Sequence, residues 1–98
     1  MSLEELVLKY IASAEHAIGE LKLVEGSPCL SKDSVQIVVE SAKAYLQDAK
    51  YYRDNRRFEI SLASVAYCEG LLDALKMLGA VKFEWSARRE KSQVKNEK

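Results

Sequence analysis

Three carboxylates stand where they could share a cation. Glu69 and Asp73 are four apart, hence neighbours on one face if their segment is helical, and Asp48 comes from the preceding segment. Three hard oxygen ligands are what Mg²⁺ takes. Di-metal helical bundles, however, draw a Glu-x-x-His pair from each of two helices, and this chain has no such pair. The carboxylates therefore read as solvated groups, or as acceptors for nearby tyrosines and Lys76. We expect Asp48 and Asp73 each to take a hydrogen bond from a tyrosine across a helix interface, with Tyr67 or Tyr45 as donor, fixing the register of the helices. No metal and no cofactor is implied.

A second chemical cluster is basic. Lys50, Arg53, Arg56 and Arg57 are interleaved with Tyr51, Tyr52 and Phe58, the mixture a phosphate-and-stacking site needs. Charge is uneven along the chain: residues 1–49 carry four Lys and eight acids, and residues 50–98 carry eleven basic residues and seven acids. Such asymmetry can steer a partner even at zero total charge. The competing reading is a solvated turn in which arginines cap carbonyls of the second helix. No RNA-recognition, zinc-finger or helix-turn-helix signature accompanies the cluster.

The remaining reactive groups are isolated. His16, the single histidine, projects onto the polar face of the first segment with Lys9 and Glu20, and has no cleft around it. Cys29 falls in a turn and Cys68 near the middle of the third segment, roughly 15 Å away at 1.5 Å rise per residue. Both should be free thiols.

Three amphipathic segments must position these groups. The first opens with a capping box, Ser2-x-x-Glu5, and carries apolar residues at steps of three and four from Leu3 to Val24. Gly26-Ser27-Pro28 then ends it. The second starts near Ser31 or Asp33 and runs to Asp54-Asn55 on a stripe that includes Val35, Val39, Ala42, Leu46 and Ala49. Ile37, Ala44 and Tyr51 lie off that stripe at a spacing of seven, a line suited to a homodimer seam or to docking Phe83 and Trp85.

The third segment, about 57–78, is the most apolar. Its small residues Ala63, Ala66, Gly70 and Ala74, with Met77, are expected to form the middle of its buried face and to allow a close helix–helix approach. Gly79 suits a left-handed cap. Phe83 and Trp85 are large enough to dock on the bundle, whereas residues 86–98 have Val94 as their sole large aliphatic and should fray.

Composition narrows the class. The chain has 98 residues, 48% hydrophobic and 31% charged, with fifteen basic and fifteen acidic side chains, so it is globular and not generally basic. No apolar run approaches the roughly 18 residues of a membrane span. Two cysteines without a secretory signal point to a reducing cytosol.

The stretch Ala42 to Gly79 resembles an archaeal family catalogued only as domain of unknown function 357. Tyr45-Leu46-Gln47-Asp48-Ala49 and Tyr67-Cys68-Glu69-Gly70-Leu71-Leu72-Asp73-Ala74-Leu75 carry the resemblance. It implies an archaeal cytosolic helical bundle and supplies no catalytic residues.

The expected architecture is an all-α, up–down–up three-helix bundle over residues 1–81, with helices at about 2–25, 32–54 and 57–78 and a charged, partly mobile tail at 82–98. The expected function is a small non-catalytic interaction module that binds a protein partner or itself through Ile37, Ala44 and Tyr51. The alternative is weak RNA or nucleotide binding through Lys50, Arg53, Arg56, Arg57 and the tail. No membrane association is expected.

Overall fold

A computed structural model describes residues 1–25 and 30–85. Its elements are α1 (Leu3–Glu20), β1 (Lys22–Leu23), α2 (Lys32–Asp54), α3 (Phe58–Met77) and β2 (Val81–Lys82). The three helices pack up–down–up, with α2 and α3 sharing the most extensive interface and α1 lying chiefly on α3. The expected charged tail beyond residue 85 and the turn containing Cys29 lie outside the described residues.

Local chemistry explains each helix start. Ser2 caps α1: its hydroxyl accepts from the Glu5 N–H at 3.1 Å and Glu5 Oε1 accepts from the Ser2 N–H at 2.9 Å. Ser31 caps α2, accepting from the Ser34 N–H at 3.0 Å. Between α2 and α3 the chain reverses through Arg56, which takes a left-handed φ of 60°. At the end of α3, Gly79 has φ 75°, the Gly79 N–H donates to the Lys76 carbonyl at 3.0 Å, and the Ala80 N–H donates to the Leu75 carbonyl at 2.9 Å. This is a Schellman motif, and it satisfies two carbonyls the helix leaves orphaned.

Helix α1 stops at Glu20 and does not reach residue 25. Leu21 turns extended, with ψ 134°, and Lys22 and Leu23 pair antiparallel with Lys82 and Val81. The Val24 N–H adds a bond of 2.9 Å to the Ala80 carbonyl. Apolar residues recur at helical spacing through Leu21 and Val24, so a local reading continues the helix to Gly26 past the weak break at Gly19. The segment returning after α3 supplies backbone partners from more than fifty residues away, which no local pattern encodes.

The core is aliphatic and includes Val7, Ile11, Val39, Leu46, Val65, Leu72 and Leu75, together with Cys68. The small residues buried on the helices are Ala42 and Ala49 of α2 and Ser61 of α3, all at 0% exposure. The Ser61 hydroxyl donates to the Ala49 carbonyl at 2.6 Å across the α2–α3 interface.

The expected buried face of α3 is therefore reversed. Ser61, Val65, Cys68, Glu69, Leu72 and Leu75 point inward, while Ala63, Ala66, Gly70 and Met77 are exposed and Ala74 is half-buried. The physical reason is the lack of contrast: α3 is apolar on both sides, and its two least aliphatic inward positions, Ser61 and Glu69, argued for the wrong one.

Phe83 and Trp85 fold back onto α3, at 5% and 2% exposure, so the packed unit extends through Trp85. Their rings meet edge to face at 4.9 Å, and Lys76 Nζ lies 4.9 Å from the Phe83 ring centre.

Candidate interaction faces

The outward face of α3 is an apolar surface along most of the helix. Tyr67 is 64% exposed and Met77 82% exposed. A shallow groove on this face is lined by Ala63, Ala66, Tyr67, Gly70 and Leu71. A methyl group placed on Gly70 would meet nothing within 4 Å, so nothing in this fold requires a glycine there. A mid-helix Gly costs about 1 kcal/mol relative to Ala. On one flank the Tyr67 ring stacks on Tyr45 of α2 at 5.2 Å and 17°, which carries the apolar surface onto the neighbouring helix. On the other flank Ala66 adjoins a second groove formed by Leu6, Tyr10, Leu62, Val65 and Glu69.

The line Ile37, Ala44, Tyr51 is also exposed, with Ile37 at 66% and Tyr51 at 62%. It does not serve as the dock for Phe83 and Trp85, which pack at Asp73 and Lys76 of α3. Tyr51 meets Tyr52 edge to face at 5.2 Å. Around Ile37 and Ala44 the surface carries Asp33, Gln36, Glu40 and Ser41, so this line has a polar, acidic border that the α3 groove lacks.

The three carboxylates do not converge. Asp48 is exposed on α2, Glu69 is buried toward α1 beside Tyr10, and Asp73 Oδ1 accepts the indole N–H of Trp85 at 2.9 Å. Among the described residues no three His, Cys, Asp or Glu side chains gather as a metal group would. The expected tyrosine donors are corrected by the same bond. Tyr67 and Tyr45 stack on each other at the surface, and the aromatic donor to Asp73 comes from beyond the helices. The signal for it was the size of Trp85, too large an apolar residue to leave in water, whose N–H needs an acceptor when buried.

The basic turn is largely neutralised by its own chain. Lys50 Nζ pairs with Glu15 of α1, Arg53 Nε with Asp54 Oδ1 at 3.0 Å, and Arg56 with Glu4 Oε1 at 3.8 Å. The Arg56 guanidinium also lies 5.3 Å from the Phe58 ring centre. Arg57 occupies the N-cap position of α3 without a side-chain capping bond. These contacts to α1 need the tertiary fold and were not legible from the cluster.

His16 sits on the exposed face of α1, 3.5 Å from Glu20. The Cys68 thiol is fully buried in the core; loss of solvation, with Glu69 next to it, pushes its pKa up to about 12. Such a thiol is a packing group and no nucleophile.

An up–down–up bundle with dispersed polar groups defines a small three-helix domain with an exposed apolar face on α3. The chain belongs to the family described as Protein of unknown function (DUF357), which matches residues 9–81. No curated relative and no solved structure matches it. No helix among the described residues is long and apolar enough to cross a membrane.

Proposed function

We propose that this protein is a non-catalytic interaction module that docks a protein surface on the outward face of α3. The observation that carries the reading is the two-sided apolarity of α3: one side fills the core, and the other presents Ala63, Ala66, Tyr67, Gly70 and Leu71 to water. A helix apolar all round is ordinarily buried, and contiguous exposed apolar surface marks interaction sites. The scattering of Asp48, Glu69, Asp73 and His16 over different faces supports a role without catalysis. The Ile37, Ala44, Tyr51 line is a second, more polar contact surface for the same role.

Binding of RNA or nucleotides through the basic turn draws less support, because Lys50, Arg53 and Arg56 already face carboxylates of the same chain.

The test introduces Ala66→Glu at the centre of the groove. Wild type and variant are compared as bait for native-lysate proteins and for tagged copies of the chain itself. The reading expects capture that the variant loses while its thermal melting is unchanged. Equal capture by both, or none by either, overturns it.

A further inference from the structure

We propose that the outward face of α2, along Ile37, Ala44 and Tyr51, docks an amphipathic helix of another protein whose apolar seam is bordered by Lys or Arg. This rests on the reading of the chain as an interaction module and names the partner of its second surface.

Charge is the first ground. The neighbours of Ile37, Ala44 and Tyr51 on a helix surface are the positions three or four residues away. They hold Asp33, Glu40, Asp48 and Asp54, otherwise only Ser, Gln and Asn, and no Lys or Arg. All four carboxylates are exposed. The lysines of α2, at 32, 43 and 50, lie roughly 100–120° round the helix from this line. Lys43 reaches Glu40 at 3.4 Å and Arg53 holds Asp54 at 3.0 Å, whereas Asp33 and Asp48 make no ion pair among the described residues. A second copy is a poor occupant, because a two-fold pairing sets these carboxylates against their own counterparts. A cationic border on the partner answers them.

Spacing is the second ground. Seven residues are two helical turns, the repeat on which the seam of a left-handed helix pair is built, and the charges flanking such a seam set partner choice. Ile37 and Tyr51 are 66% and 62% exposed and lie about 21 Å apart along the axis, with the small Ala44 midway. A helix crossing at the shallow angle of such pairs comes close at Ala44 and sets an apolar side chain against each end. Around Ile37 and Ala44 the surface is already a shallow groove, lined also by Asp33 and Glu40. The chain has no segment of its own that answers both grounds: residues 86–98 are basic on balance but include a single large aliphatic, Val94.

Fluorescence anisotropy reads the binding of two labelled three-heptad peptides with Leu at the seam positions, one flanked by Lys and the other by Glu. Wild type should bind the Lys peptide at least about tenfold more tightly than the Glu peptide, and less tightly as salt rises. Ala44→Arg should weaken Lys-peptide binding at least about tenfold, with far-UV circular dichroism and thermal melting unchanged. Asp33→Lys combined with Asp48→Lys should turn the preference toward the Glu peptide. Ala66→Glu, on α3, should change neither affinity. No binding of the Lys peptide, equal binding of both peptides, or binding that Ala44→Arg leaves intact overturns the proposal. Self-association in sedimentation equilibrium that Ala44→Arg abolishes overturns it in favour of a second copy. Lys-peptide binding lost in Ala66→Glu and kept in Ala44→Arg overturns it and leaves the α3 docking face standing.

Discussion

The indole N–H of Trp85 donates to Asp73 Oδ1 at 2.9 Å and so ties the segment beyond the last strand to the C-terminal part of the third helix. Trp85 is 2% exposed, and its ring meets Phe83 edge to face. Trp85→Phe keeps most of the apolar volume and removes the donor to a carboxylate. It should cost about 1–3 kcal/mol. Trp85→Ala should cost about 3–5 kcal/mol. Urea unfolding followed by far-UV circular dichroism checks both values. Equal, negligible losses would show that this segment does not belong to the folded unit.

Gly70→Ala makes a prediction of opposite sign. The added methyl meets nothing within 4 Å and the residue lies inside a helix. The substitution should raise stability by about 0.5–1 kcal/mol. Had Gly70 lain between packed helices, the same change would destabilise, so thermal melting at low concentration decides which side of α3 faces the solvent.

Cys68 predicts an alkaline loss of stability. Its pKa, raised from 9.0 to about 12 by burial and then by Glu69, means that the unfolded thiol releases its proton first. Above pH 9 the unfolded state therefore binds fewer protons than the native state, and stability falls as pH rises toward 12. The contribution is fully present below pH 9. Relative to wild type, Cys68→Ala should lose stability from its cavity at neutral pH, and the gap should narrow through this window. Native protein should also react with a thiol reagent only at the rate of unfolding, measured in Cys29→Ser.

The capping box of α1 predicts an acid-sensitive terminus. The Ser2 backbone N–H, and then its hydroxyl, hold the Glu5 carboxyl below its ordinary 4.5. A depressed carboxylate stabilises above that value, and its contribution is lost as pH falls through the lower native pKa. Ser2→Ala should cost about 1 kcal/mol at neutral pH. Glu5→Gln should flatten the acid limb of the melting profile, which a pH series of thermal melts would show.

Much of the architecture was legible locally. The capping box at Ser2 and Glu5, the Ser31 cap, the α2 stripe from Val35 to Ala49 and the glycine cap at Gly79 all appear where residue type and spacing place them. These features involve partners within a few residues of each other. The candidate site was legible only in its membership: Ala63, Ala66, Gly70, Ala74 and Met77 do share one face, and that face looks outward. The ion pairs Lys50–Glu15 and Arg56–Glu4 join residues from different helices, so the basic cluster could not be recognised as occupied.

By itself, the order of residues determined three helices, their capping chemistry and the grouping of side chains by face, because each depends on backbone geometry and near neighbours. Only the tertiary structure decided which side of α3 enters the core. A helix apolar on both sides has no polarity contrast to orient it, and the choice fell to the fit of Val65, Cys68 and Leu72 against the other helices and to the Ser61–Ala49 hydrogen bond. The same packing ended α1 at Glu20 and drew Trp85 to Asp73, since both rest on contacts between distant parts of the chain.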